Sequence, residues 1–200
     1  MAWERRRKLK GPGRWQFLLW IVRHGRLLTN SEKHNRHLHP IGQCEICGAK
    51  SETNIHALRH CEWTSGIWSK LVQQKYWREF KSKSLNQWVD WNIKEGEIGR
   101  NREIFWPLLF QRVVHWAWTA RNEWIHQGLD RKMRVRSEQL VKQVIDVQEL
   151  NSNFHGTGRK RLQYIKWKKP KQGWVKLNVD GASNHNPGKA SAGGLIRNEY

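Results

Sequence analysis

Apolar residues recur at helical spacing through the first three quarters of the chain. After a break at Pro12, this spacing predicts an amphipathic helix from about Arg14. A second helix is predicted over 63–80 and a short third one over 85–89. The apolar face of the first helix is formed by Trp15, Leu18, Leu19 and Val22. Because each helix has one apolar face, we expect these faces to pack together in a shared helical core.

The longest helical pattern covers residues 102–126. Pro107 fits the first turn of such a helix, and Gly128 fits its end. Its apolar face predicts core packing rather than a base-stacking surface: Trp106, Leu109, Phe110, Val113, Ala117 and Trp124. The opposite face is predicted to be polar: Gln111, His115, Thr119 and Asn122. A polar helix with a thin apolar stripe is then predicted over 131–150: Val135, Leu140, Val144 and Val147.

At Gly173 the helical spacing gives way to alternation of apolar and polar residues. The alternation predicts a strand over 174–180, a glycine-rich turn, and an antiparallel second strand over 192–197. Asp180 is the last residue of the predicted first strand. A carboxylate at a strand end beside such a turn can hold Mg²⁺, although a lone aspartate there is also an ordinary turn residue.

Composition and charge point to a polyanionic partner. The chain has 37 Lys and Arg against 17 Asp and Glu, a formal net charge of +20, and 14 tryptophans. Nucleic acid is the first candidate and an anionic membrane surface the second. The longest uncharged apolar run, 15–22, is too short for the ~20 residues of a membrane span. Five basic residues are predicted to contact nucleic acid, with solvated charges as the alternative: Arg14, Arg23, Lys166, Lys168 and Lys169.

All three cysteines of the chain lie within residues 44–61, in a pattern suited to zinc. A Cys-x2-Cys pair supplies two tetrahedral ligands from one turn, and Gly48 tolerates the positive φ of that turn. Five candidates are available for four places, and His60 and Cys61 compete for the last one: Cys44, Cys47, His56, His60 and Cys61. The alternative is a pair of buried thiols with surface histidines. The odd cysteine count and the lack of an export-signal pattern argue against disulfides, so we expect an intracellular, nuclear protein.

Two stretches of the chain resemble known families. Residues from about 3 to 70, with Cys-x2-Cys-x8-His-x4-Cys over 44–61, resemble the zinc-binding domain that follows reverse transcriptase in plant non-LTR retrotransposons. Residues 174–200 resemble the opening hairpin of the type 1 ribonuclease H fold, in Asp180-Gly181-Ala182, Asn186-Pro187-Gly188 and Gly193-Gly194. Both occur in this order in that group, separated by a tryptophan-rich helical spacer.

The resemblance implies a role for particular residues. It favours Cys61 over His60, so that a structural zinc is held by Cys44, Cys47, His56 and Cys61. It implies hydrolysis of the RNA strand of an RNA–DNA hybrid by two Mg²⁺ ions on four acids, with Asp180 as the first acid and Asn186 in contact with the hybrid. The other family acids fall after Tyr200, and Glu199 is too early to be one of them. Because one carboxylate cannot hold two divalent ions, we expect no nuclease activity from this chain.

The sequence as a whole predicts a mainly α protein with a small zinc-binding module, followed by an incomplete α/β ribonuclease H-like fold. The predicted regions are a zinc-binding domain over 1–80, a helical spacer over 81–150, a basic linker over 151–173 and a hairpin over 174–200. The predicted function is a nucleic-acid-binding fragment of a retrotransposon-derived polyprotein, with RNA, DNA or a hybrid as partner. Two alternatives stay open: an active ribonuclease H in a natural product with the complete domain, and a non-functional relic.

Overall fold

The computed structural model describes residues 11–94, 97–128, 134–154, 169–185 and 188–200. The chain divides into two compact units between Gly156 and Thr157. The described part of the first unit is helical: α1 (Gly13–Arg23), α2 (Asn30–Asn35), a π-helical turn (His56–His60), α3 (Glu62–Leu71), α4 (Gln74–Ser82), α5 (Leu85–Lys94), α6 (Trp106–Gln127) and α7 (Ser137–Phe154). The described part of the second unit is a two-stranded antiparallel sheet: β1 (Lys176–His185) and β2 (Gly188–Arg197). The predicted fold class, mainly helical with a hairpin near the end, is confirmed.

One aromatic core joins the helices of the first unit. The Trp68 ring lies 5.1 Å from Phe80, 5.7 Å from Trp88 and 5.7 Å from Phe110, centroid to centroid. Each such pair contributes about 0.5–1.5 kcal/mol beyond the apolar area that it buries. The Trp68 indole N–H donates to the Leu58 carbonyl at 2.8 Å, so its polar group is satisfied inside the core. The core therefore draws residues from both the predicted zinc-binding domain and the predicted spacer.

The predicted helix over 63–80 is wrong in one respect, because the structure divides it into α3 and α4. Val72 has extended backbone angles, with φ −86° and ψ 136°, and pairs with Gly99 in an isolated antiparallel bridge. Next to this bridge, Gln73 N–H donates to Ile98 O at 3.0 Å. Apolar spacing could not reveal the break, since Val72 is buried there as it would be within a helix.

The central helix α6 begins at Trp106 rather than at residue 102, with Pro107 in its first turn as predicted. It ends at Gly128, which has a left-handed φ of 63°. The predicted polar face is only partly correct. Gln111 is fully buried, whereas Trp124, predicted for the apolar face, is 36% exposed. Since α6 contacts α1, α5, α7 and the π-helical turn, neighbours cover more of its circumference than a one-faced helix would allow.

The stripe predicted for α7 is confirmed at Leu140 and Val144, which are fully buried in the same core. Val147 packs against that core and is partly buried. In the part of the chain that the structure describes, no helix combines the length and the apolar character needed to cross a lipid bilayer.

The hairpin of the second unit is longer than predicted. β1 continues five residues beyond Asp180, which pairs with Gly193 in the middle of the ladder. The expectation that Asp180 ends its strand is therefore wrong. Gly181 pairs with Ala192 in the same ladder, in spite of the low strand propensity of glycine. Leu177 pairs with Ile196, and their side chains are 58% and 66% exposed.

Candidate metal centre

The Cys-x2-Cys pair folds into a tight turn between α2 and the π-helical turn. Gly48 N–H donates to Cys44 O at 2.9 Å, and Cys44 N–H donates to Ala49 O at 2.9 Å. Gly48 has a φ of +74°, the left-handed conformation that glycine adopts without a Cβ clash. The turn therefore holds both sulfur-bearing residues on one short loop.

The other two potential ligands stand at the two ends of the π-helical turn. Cys61 N–H donates to His56 O at 2.8 Å, a hydrogen bond that spans five residues. This wide turn brings His56 and Cys61 to the same side. His60 has a different partner, because its Nε2 lies 2.9 Å from Nη2 of Arg59. In an α-helix His56 and His60 would lie on one face, whereas in this π-helical turn they have different partners.

The structure brings together Cys44, Cys47, His56 and Cys61, here called the Cys/His cluster. Their four ligand atoms all lie within 4.8 Å of one another. The two sulfurs of Cys44 and Cys61 are 3.9 Å apart, and Cys47 Sγ is 3.3 Å from His56 Nε2. Tetrahedral zinc with Zn–S near 2.3 Å and Zn–N near 2.0–2.1 Å requires ligand separations of about 3.6–3.8 Å. The observed spacing therefore fits such an ion.

Burial and hydrogen bonding change the pKa values of the Cys44 and Cys61 thiols, which affects how they would bind a cation. Cys44 and Cys61 are 1% and 0% exposed. Hydrogen bonds from Cys61, from His56 and from the backbone N–H groups of Cys47 and Ile46 together lower the pKa of the Cys44 thiol to about 3, against the opposing effect of burial. The same contact with Cys44, together with burial, raises the pKa of Cys61. Cys44 is thus the readiest thiolate, and binding of a divalent metal would displace the proton on Cys61.

A buried polar network anchors the loop that carries the cysteines. Asn30 Nδ2 donates to Gln43 O at 2.9 Å and to Glu45 Oε1 at 3.0 Å, on either side of Cys44. Its backbone N–H donates to Glu52 Oε2 at 2.7 Å, and its Oδ1 accepts from Arg121 Nη2 at 2.8 Å. Arg121 belongs to α6, so the network links the cysteine loop to the central helix.

Sequence reasoning missed Asn30, Glu52 and Arg121. One signal was present, because Arg121 stands four residues after Ala117 on the buried side of α6. A charged residue on a buried face requires a buried partner. Nothing in the sequence identified that partner as Glu52, which is 69 residues away.

The remaining predicted site residues are distributed over both units. Arg14 is exposed at the start of α1, and Arg23, at the end of that helix, forms an ion pair with Asp90 at 2.5 Å. Lys169 is exposed, and Asp180 is exposed with its Oδ1 accepting from Gly181 N–H at 2.9 Å. Lys166, Lys168 and Asn186 lie outside the described residues. Their contacts with nucleic acid stay predictions.

Comparison with known proteins agrees with the metal centre. Residues 1–68 match a family described as zinc-binding in reverse transcriptase. Over 193 residues, or 95% of its length, the chain is 35% identical to an Arabidopsis thaliana protein named "Putative ribonuclease H protein". The chain spans 31% of the length of that relative. No solved structure matches the chain. Residues 1–68 are therefore similar to the zinc-binding domain of reverse transcriptases, within a chain that is similar over most of its length to a plant protein named for ribonuclease H.

Proposed function

We propose that the first unit is a nucleic-acid-binding module stabilised by one structural zinc ion. The observation that carries the proposal is the convergence of the four ligand atoms of the Cys/His cluster within 4.8 Å. Four protein ligands complete a tetrahedral shell, and no position remains for a substrate or a reactive water. The role of the metal is thus to hold the cysteine loop and the π-helical turn together.

The charge of the chain supports nucleic acid as the partner. A net charge of +20 over 200 residues favours phosphate backbones through release of their counterions. The segment 155–173 adds seven Lys and Arg and no acidic residue. Residues 1–68 match a family described as zinc-binding in reverse transcriptase, and the Arabidopsis relative is named for ribonuclease H, so RNA, DNA and the RNA–DNA hybrid are the partners to test.

Two measurements test the proposed module. Atomic emission of the purified chain should give about one zinc per molecule, and a zinc content near zero would overturn the zinc assignment. Fluorescence anisotropy with 20-nucleotide RNA, DNA and hybrid probes should show affinity that falls steeply between 50 and 200 mM salt. Affinity that is insensitive to salt would contradict binding through phosphates. A protein of the same size and near-neutral charge serves as the control for nonspecific adsorption.

The second candidate function is hydrolysis of RNA–DNA hybrids, favoured by the Asp180 motif and the name of the relative. A two-metal site needs several carboxylates around ions about 4 Å apart. In the described part of the second unit the acids are Asp180 and Glu199. Glu199 lies beyond the end of β2, whose last residue is four ladder positions, or about 13 Å, past Gly193. We therefore expect no hybrid cleavage by this chain in Mg²⁺. Cleavage that Asp180→Asn abolishes would establish the nuclease instead.

A further inference from the structure

A cavity of about 660 Å³ lies between α1, α6 and α7, away from the Cys/His cluster. This volume is within the range of about 300–1,000 Å³ that small-ligand sites occupy. Charged and aromatic residues make up much of its lining, with two arginines and one acidic residue. The lining residues used below are Arg14, Trp15, Arg112, Gln143 and Asp146.

Arg112 is held in a fixed orientation at the wall of this cavity. Its Nε donates to Gln143 Oε1 at 2.7 Å, and its guanidinium carbon lies 5.6 Å from the centroid of the Trp15 ring. The Nε–H of Arg112 is thus engaged by Gln143, and the Nη groups are the donors that a ligand would use. A guanidinium fixed by stacking and by one hydrogen bond is well prepared to bind an oxyanion with its remaining donors.

The positive charge of the two arginines exceeds the single negative charge of Asp146 in the cavity lining. The four ion pairs found within the described residues include neither Arg14 nor Arg112. Burial lowers the pKa of Arg112, and the neighbouring positive charge of Arg14 lowers it further. The positive charges of Arg14 and Arg112 repel each other, so an anion bound between them would lower the electrostatic energy of both.

We propose that this cavity binds one nucleotide of a bound nucleic acid strand, with its phosphate between Arg14 and Arg112. This inference rests on the proposed nucleic-acid-binding function and locates one contact with the strand in this cavity. Asp146 on α7 fits the sugar or base of a nucleotide, because a carboxylate accepts hydrogen bonds from sugar hydroxyls and base amino groups. The indole of Trp15 provides an apolar wall beside the arginines.

The test uses the full chain with zinc and the single-stranded probe that the wild type binds best. Arg14→Gln and Arg112→Gln should each weaken binding about tenfold, since each removes a charged hydrogen-bonding partner. Each should also reduce the slope of log affinity against log salt by about one. Arg78→Gln is the matched control, because Arg78 is exposed on α4, outside this cavity, and its loss changes the net charge equally.

A second variant distinguishes a loss of binding from a loss of folding in Arg112→Gln. Gln143→Glu would place a carboxylate at the atom that now accepts from Arg112, so the protein should keep its melting temperature while binding falls at least as far as in Arg112→Gln. Gln139→Glu, on the same helix and outside the cavity lining, adds the same charge and should have a smaller effect.

The outcomes separate this inference from the function on which it rests. If the cavity variants and their controls weaken binding equally, the nucleotide site is overturned and the nucleic-acid-binding module stands. If the wild type binds no RNA, DNA or hybrid probe at 50 mM salt, both proposals fail. Selective loss in the three cavity variants, with the salt slope reduced for the two arginine variants, supports the site.

Discussion

Arg121 and Glu52 form a bidentate ion pair between α6 and the loop that follows the Cys-x2-Cys turn. Arg121 Nε donates to Glu52 Oε1 at 3.0 Å, and Nη2 donates to Oε2 at 2.6 Å. The two side chains are 1% and 0% exposed. A buried pair of this kind loses hydration on both partners, which only complete hydrogen bonding offsets. Asn30 contributes to that hydrogen bonding, so an ion pair and its hydrogen bonds connect the cysteine loop to the core in addition to apolar contacts.

Removing Glu52 should destabilise the first unit strongly. Glu52→Ala leaves Arg121 as a buried cation without its carboxylate, and we expect the free energy of unfolding to fall by about 3–5 kcal/mol. Urea unfolding followed by tryptophan fluorescence measures this loss. Glu79→Ala is the control, because the Glu79–Lys83 pair is partly exposed and should contribute less than about 1 kcal/mol. Equal losses in the two variants would contradict the role of the buried pair.

Removal of the metal should unfold more than the cysteine loop. Structural zinc contributes an apparent ~10–16 kcal/mol in small zinc-finger peptides, and the network around Asn30 connects the loop to α6. We therefore expect a strong chelator to lower the melting temperature and to change the near-ultraviolet circular dichroism of the tryptophans. Added zinc should reverse both changes. An unaltered melting temperature after complete removal of zinc would show that the ion has no structural role.

The two neighbouring histidines should respond differently to replacement. His56→Ala removes a ligand atom of the Cys/His cluster, so zinc content per chain should fall well below one. His60→Ala should keep its zinc, because His60 Nε2 contacts the Arg59 guanidinium instead. Atomic emission after extensive dialysis distinguishes the variants. Zinc lost from His60→Ala and kept by His56→Ala would reverse the ligand assignment.

Two glycines provide a matched test of close packing. A Cβ at Gly99 would lie 2.7 Å from Cε3 of Trp106, a distance that forces the buried indole to move. We expect Gly99→Ala to lower the free energy of unfolding by about 1–3 kcal/mol. A Cβ at Gly66, inside α3, would meet nothing within 4 Å. Gly66→Ala should therefore raise stability by about 0.5–1 kcal/mol, through the higher helix propensity of alanine. Thermal melts of both variants measure the contrast.

The helices and the candidate ligands could be predicted from local sequence patterns. The apolar face of α1 is buried at all four predicted positions, and the glycine after α6 ends it as predicted. The break between α3 and α4 could not be predicted in this way, since it depends on a backbone bridge from Val72 to Gly99. Periodicity reports which residues are buried, and it does not report which backbone groups pair across the chain.

The sequence by itself determined the helical class, the basic character, the terminal hairpin and the residues able to hold a metal, because these follow from residue type and short-range spacing. The resemblance already placed His56 among the ligands and left His60 out. The tertiary structure decided how this is achieved, because the π-helical turn directs His56 toward the cysteines and His60 toward Arg59. It also decided that Arg121 reaches Glu52 and that Arg112 is fixed between Trp15 and Gln143. Those contacts join residues from different helices and loops, and long-range contacts depend on how the elements pack.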